Sequence, residues 1–175
     1  MLIKPCILNF SCPGDNGDTF IVINGELHKV SKAHHIVKLL GAIDSALSSL
    51  FYAANFLDEK GYRKQARISR LIGFGIFNVS FYIATSNALF IERSNMYFSR
   101  AIKQLMTLNY AFRRGWVICK SMECSVLDRA RVDIRWAERR LAQTEFSSLV
   151  KYFNLASNII FETMLSTPHI IYRTK

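Results

Sequence analysis

Apolar residues follow two different periods along this chain. The first thirty residues alternate in short β-type runs, and from Ser31 onward the apolar positions recur at helical spacing. TFIVINGELHKV, residues 19–30, sets Asn24-Gly25 between two runs rich in strand formers. Both central positions of a type I′ turn need positive φ, which Asn-Gly tolerates, so the segment predicts a β-hairpin. Leu2 to Phe10 adds a candidate third strand, held to an edge by Pro5. SCPGDNGD, residues 11–18, reads as the connecting turn. Its acids resemble a calcium loop, but the alternating ligand spacing and the distal glutamate are missing.

Ser31 is the expected N-cap of a first helix, whose apolar positions Ile36, Leu39, Ile43, Leu47, Leu50 and Leu57 run to a break near Asp58 to Gly61. A second helix is expected from Tyr62 to Ile91, a third from Asn95 to Lys120, and a fourth, bent, from Ser125 to Leu165, ended by Ser166-Thr167-Pro168. The pattern predicts a mainly α fold: a bundle of about four long helices preceded by a small amino-terminal β-hairpin or three-stranded meander. With 175 residues and no visible repeat or Gly/Ser linker, residues 1–175 read as a single domain, β-rich over 1–30 and helical over 31–175.

Composition sharpens one question. Half the residues are hydrophobic and 21% are charged, so the chain either packs a large core or meets a membrane. The stretch from Leu71 to Ile91 has the roughly 20-residue length a bilayer needs. Asn78, Ser80, Thr85, Ser86 and Asn87 interrupt it, which favours a central helix buried on nearly all sides. No secretory signal is visible, so a reducing, cytoplasmic setting is expected, with Cys6, Cys12, Cys119 and Cys124 as free thiols.

Candidate catalytic chemistry is sparse. No phosphate-binding glycine motif, nucleophile elbow, His-Glu-x-x-His pair or Cys-x-x-Cys knuckle is present. His28, His34, His35, Cys6 and Cys12 lack regular metal-ligand spacing, and adjacent histidines on a helix point about 100° apart. No catalytic residue, metal or cofactor is assigned. The hairpin FYAANFLDEKGYRKQARISR resembles the helical hairpins of HEPN-type domains and of tetratricopeptide-like proteins through its small and apolar residues around Gly61-Tyr62. The arginine-to-histidine motif of HEPN ribonucleases has no counterpart in the helical region, so no site residue carries over.

Charge then supplies the functional expectation. Lys and Arg number 23 against 13 acids, a formal net charge of +10. In LDRARVDIRWAERRLA, residues 127–142, Arg131, Arg135 and Arg139 align at i, i+4 and i+8, away from the apolar stripe. Arg129 with Asp133, Asp128 with Arg131 and Arg135 with Glu138 have ion-pair spacing, leaving Arg139 and Arg140 without a local partner. Arg63, Lys64, Arg67 and Arg70 form a second cluster, and Arg113-Arg114 beside Trp116 a third. Guanidinium groups suit phosphate, and Trp116, Trp136, Tyr62 and Tyr110 lie close by in sequence as stacking surfaces. These ten basic residues predict a non-catalytic, sequence-nonspecific nucleic-acid-binding accessory protein or subunit of a nucleoprotein assembly, with RNA or DNA and further proteins as partners. The alternatives are a protein-interaction or adaptor domain, and a membrane-associated protein using residues 71–91.

Overall fold

The computed structural model describes residue 12, residues 14–109 and residues 115–172. The expected strand over Leu2 to Phe10 lies outside these residues, as do Cys6, Tyr110, Arg113 and Arg114. Strand β1 (Asp18–Ile23) pairs antiparallel with β2 (Glu26–Ser31), with Val22 opposite Leu27 and Ile23 opposite Glu26. Asn24 and Gly25 take φ of 54° and 83° at the tip, as the predicted turn requires.

Five α-helices follow among the described residues: α1 (His35–Glu59), α2 (Arg63–Thr85), α3 (Ala88–Leu105), α4 (Met122–Leu141) and α5 (Val150–Met164). The architecture is the expected mainly helical bundle behind a small hairpin, with differences where local polar groups cut the predicted helices. Ser86 adopts a left-handed conformation (φ 55°) that stops α2, and Asn87 Oδ1 accepts from Leu89 N at 3.0 Å to start α3. The predicted fourth helix is two helices: Thr144 Oγ1 donates to the Leu141 carbonyl and accepts from Phe146 N, turning the chain between α4 and α5. Ser31 ends β2, and the N-cap of α1 is His34, whose Nδ1 accepts from Ile36 N at 3.3 Å.

The segment expected to complete helix three holds a strand. Strand β3 (Trp116–Cys119) pairs antiparallel with β4 (His169–Tyr172), Trp116 opposite Tyr172. It leads directly into α4, where Cys119 and Cys124 come to a Cα separation of 5.2 Å and form a disulfide. Cys12 is disulfide-bonded as well, which corrects the expectation of free thiols at these three positions.

The core is built from the inner faces of all five helices, with Ile36, Leu50, Ile72, Ile76, Leu127 and Phe153 fully buried. α1 packs on α2 and α4, α2 also on α3, and α4 on α5. α1 and α2 are each long and apolar enough to cross a membrane, yet 39% and 50% of their most apolar windows are already buried among neighbouring helices. The polar residues of α2 serve its own backbone: Asn78 Nδ2 donates to the Phe74 carbonyl at 2.8 Å and Thr85 Oγ1 to the Phe81 carbonyl at 2.7 Å. Close approach depends on glycine. Ser94 Oγ donates to the Gly75 carbonyl, and a Cβ on Gly75 would lie 2.9 Å from the Phe98 ring. α2 is not enclosed on nearly all sides, however, because Phe74, Phe77 and Phe81 remain about 40% exposed.

The two ends of the bundle differ. At one end the hairpin tip bonds to α2, with Gly25 N donating to the Ala84 carbonyl at 2.8 Å. There α1 begins and α4 ends, because His35 Nε2 lies 3.5 Å from Glu145 and Ser49 lower on α1 bonds Asp133 on α4. The far end carries the α1–α2 turn, the start of α4 and the β3–β4 ribbon, which Lys120 N bonds through the Pro168 carbonyl.

Candidate functional site

Where the described chain begins, at the base of the hairpin, the turn over residues 12–18 folds on itself through short-range bonds. Asp15 Oδ2 accepts from Cys12 N at 2.7 Å, Gly17 N donates to the Gly14 carbonyl at 3.1 Å, and Asn16 Oδ1 accepts from Asp18 N at 3.1 Å. Gly14 (φ 94°) and Gly17 (φ 85°) supply the left-handed positions such a turn needs. The space beside Gly14 is occupied: a Cβ there would meet the Asp18 carbonyl oxygen at 2.8 Å and Lys32 Cε at 3.2 Å.

This turn borders a cavity of about 300 Å³ lined by Gly14, Asn16, Asp18, Thr19, Phe20 and Lys29. Lys29 Nζ sits 3.1 Å from Asp18 Oδ2, and Lys32 N donates to the Gly17 carbonyl at 2.8 Å, drawing the next basic residue against the turn. The amides of Asp15, Gly17 and Asp18 are bonded within the turn and Lys29 is held by Asp18, so the Thr19 hydroxyl and the Lys32 ammonium beside Gly14 are the groups of this cradle open to an anion, and phosphate is the anion such concave backbone fits. Phe20, 62% exposed, offers a flat apolar wall on the same cavity. In the sequence this stretch reads as a connecting turn. The signal that was present is Gly-Asp-Asn-Gly-Asp-Thr leading straight into a strand, with lysines on the returning strand and just after it.

The same end of the bundle receives the carboxyl-terminal half of α4. Its arginines are not one uniform row. Arg131 is half-buried and held by Asp128 at 2.7 Å, and Arg129 is held by Asp133 at 2.8 Å, so these two expected ion pairs form. The third expected pair, Arg135 with Glu138, does not form among the described residues. Arg139 and Arg140 instead lie over the Trp136 ring, 5.7 and 4.5 Å from its centroid. Trp136 is 44% exposed, so indole and guanidinium planes together line the outer surface of α4. Among the described residues no acid pairs with Arg135, Arg139 or Arg140. For the last two, part of the reason is structural, since cations in a final helical turn complement the helix dipole.

The second basic cluster is elsewhere. Arg63, Lys64, Arg67 and Arg70 occupy the first two turns of α2 at the far end, where Lys64 donates to the Thr107 carbonyl and Arg70 pairs with Asp58 at 2.9 Å. The structure thus brings Arg135, Arg139 and Arg140 to the cradle end and leaves the α2 cluster at the opposite end. The histidines do local work: His34 caps α1, His35 pairs with Glu145, and His28 lies 3.9 Å from Glu26. Among the described residues no three His, Cys, Asp or Glu side chains converge as a metal site.

Comparison with known proteins overturns the nucleic-acid reading. No curated protein matches the chain. Among solved structures it is similar to a variant PduO-type ATP:corrinoid adenosyltransferase from Lactobacillus reuteri, complexed with cobalamin and ATP. That likeness has a TM-score of 0.61 at 17% identity and covers 92% of this chain and 97% of the other, a likeness of fold. A family model described as cobalamin adenosyltransferase matches residues 10–167. That family is catalytic, so neither a nucleic-acid-binding accessory role nor an adaptor role holds, and RNA and DNA are withdrawn as partners. The net positive charge had suggested a long polyanion, but the two clusters among the described residues are divided between opposite ends of the bundle. The family match takes in both the glycine turn and the whole arginine helix, and the chain belongs to the cobalamin adenosyltransferase family.

Proposed function

We propose that this chain transfers the adenosyl group of ATP to a corrinoid, with the triphosphate seated at the glycine turn. The observation that carries the reading is the cradle of Gly14, Gly17, Lys29 and Lys32 at the end of the bundle where α4 delivers Arg135, Arg139 and Arg140. Transfer of adenosyl from ATP breaks the bond between its 5′ carbon and the triphosphate oxygen, so negative charge grows on the leaving phosphate chain. Fixed cations are groups that stabilise such charge, and in a partly enclosed site they do so without reorganising at the moment of reaction. Phe20 and Trp136 are the flat surfaces available for the adenine and for the macrocycle edge. The β-hairpin segment and the bundle act as one domain in this reading, and the family match supports a cytoplasmic setting for the reaction.

The test is direct. Purified protein is titrated with ATP by calorimetry and then supplied with a chemically reduced corrinoid. ATP binding in the micromolar range, followed by formation of a light-sensitive alkylated corrinoid with release of triphosphate, supports the proposal. Arg139→Ala together with Arg140→Ala lowers the transfer rate by at least tenfold with the fold intact. Failure of the wild-type protein to bind ATP, or binding that leaves the corrinoid unalkylated, overturns it.

A further inference from the structure

The outer side of α2 holds a stripe that the proposed reaction does not use. Arg63, Arg67, Arg70, Phe74, Phe77 and Phe81 are spaced 4, 3, 4, 3 and 4 residues apart, so they lie on one side of the helix. Arg63 and Arg67 are exposed, and Phe74, Phe77 and Phe81 are 41, 43 and 39% exposed. Alternation of threes and fours is the spacing with which one helix meets another along a seam. Over these residues, at 1.5 Å per residue, the stripe runs about 27 Å.

Its chemistry changes halfway along. The amino-terminal half is cationic: Arg63 and Arg67 form no ion pair among the described residues, and only Arg70 is engaged, by Asp58. These arginines stand in the first turns of a helix with no acid in its first turn and no side-chain cap, where the dipole disfavours positive charge. The carboxyl-terminal half is aromatic and borders a groove of about 340 Å³ whose other wall is α3, with Phe81 stacked on Phe90 at 5.1 Å and Phe74 beside Tyr97 at 5.5 Å. α3 runs antiparallel to α2 and follows the same order in part. Its exposed Leu89 and Met96 lie beside the aromatic half, with Arg93 between them lining the groove over the Phe90 ring, and its exposed Arg100 and Lys103 come later, toward the cationic half.

We propose that the α2–α3 face docks an amphipathic helix of another protein, apolar over one half and acidic over the other. The aromatic groove takes its apolar anchors at i, i+3 or i+4, and i+7, the spacing of helix-in-groove recognition. Its carboxylates meet Arg63, Arg67 and the basic end of α3, an arrangement the uncompensated charge at the start of α2 favours. An antiparallel partner also sets the negative end of its dipole beside Arg63 and Arg67, so the apolar half leads and the acidic half follows. A bilayer surface does not match this face, because Arg93 lies within the aromatic groove and the α2 arginines precede the phenylalanines along the helix axis instead of lying on the opposite side of the helix.

The probe is a fluorescein-labelled synthetic helix of about five turns, with leucine at 3-4 spacing through its amino-terminal half and glutamate through its carboxyl-terminal half. It is titrated with the full chain and followed by anisotropy. Saturable binding that weakens with salt, falls at least tenfold in Phe77→Ser/Phe81→Ser, and in Arg63→Glu/Arg67→Glu shifts to a lysine-for-glutamate version of the peptide supports the proposal. The arginine variant is independent of any folding defect in the phenylalanine variant, and circular dichroism checks both. Equal binding of the two peptides by the wild-type protein, or no binding, overturns it. So does co-sedimentation with phosphatidylserine vesicles, or self-association by light scattering, that the phenylalanine substitutions abolish, since either gives the face to a membrane or to a second copy.

Discussion

Gly14 and Gly17 share a left-handed backbone but differ in surroundings, which makes them a matched pair for testing the cradle. A Cβ on Gly17 meets nothing within 4 Å, so Gly17→Ala carries only the backbone penalty at φ 85°, about 1–2 kcal/mol. Gly14→Ala carries the same penalty at φ 94° and also drives a methyl group to 2.8 Å from the Asp18 carbonyl oxygen. That oxygen is backbone and cannot rotate away, so relief means moving the turn, at a further cost of roughly 1–3 kcal/mol by analogy with overpacked sites. The turn is exposed and lies outside the helical core, so it opens locally without unfolding the bundle. Melting temperature is then nearly unchanged in both variants, and the penalty appears in ligand affinity. At 1.4 kcal/mol per tenfold, ATP affinity falls about 5- to 30-fold in Gly17→Ala and at least another fivefold in Gly14→Ala. Calorimetric titration with ATP measures both. Equal affinities in the two variants would show that the Gly14–Asp18 contact does not shape the site, and wild-type affinity in both would remove the turn from the site altogether.

Two further outcomes probe the scaffold. Gly75→Ala gains helix propensity of about 1 kcal/mol but overpacks against Phe98, whereas Gly41→Ala, on the exposed side of α1, meets nothing within 4 Å and keeps the whole gain. Thermal melting should rank Gly41→Ala above wild type and Gly75→Ala below Gly41→Ala by several degrees, at about 2–4 °C per kcal/mol for a chain of this size; equal shifts would contradict the close α2–α3 approach. Asp133, 7% exposed, accepts from Ser49 Oγ and Arg129 Nε and so ties α1 to α4. Asp133→Ala is expected to cost about 1–3 kcal/mol, with Ser49→Ala adding less in that background than alone; strict additivity would mean the bond does not join the helices.

What the sequence discloses follows the range of the interactions involved. The Asn24-Gly25 turn and the apolar faces of α1 and α4 depend on neighbours a few residues apart, and those parts of the fold were legible. The same holds for the Arg129–Asp133 and Asp128–Arg131 pairs on α4. The break between α2 and α3 was not, because Ser86 and Asn87 stop one helix and start the next inside an otherwise apolar run, where they read as interruptions of a single helix. The β3–β4 ribbon joins two four-residue strands from distant parts of the chain, a pairing no local pattern announces. At the candidate site, the glycines of residues 12–18 gave a turn but not a purpose. The proposed purpose depends on Lys32 folding back against Gly14 and on the end of α4 arriving at the same end of the bundle.

The arginines misled for a related reason. Net charge is a sum, whereas recognition depends on which charges share a surface. Asp128 and Asp133 neutralise Arg131 and Arg129, and Asp58 engages Arg70, so among the described residues the α2 and α4 clusters leave cations without an ion pair at opposite ends of the bundle. One group stands at the end with the glycine turn and a 300 Å³ cavity, a size suited to a small phosphorylated ligand. The other stands in line with three exposed phenylalanines on the outer side of α2, a combination that a nucleic-acid backbone does not require and an amphipathic helix does. A bundle that separates its cations in this way can keep a reaction at one end and a protein contact on its flank without the two competing for the same charge.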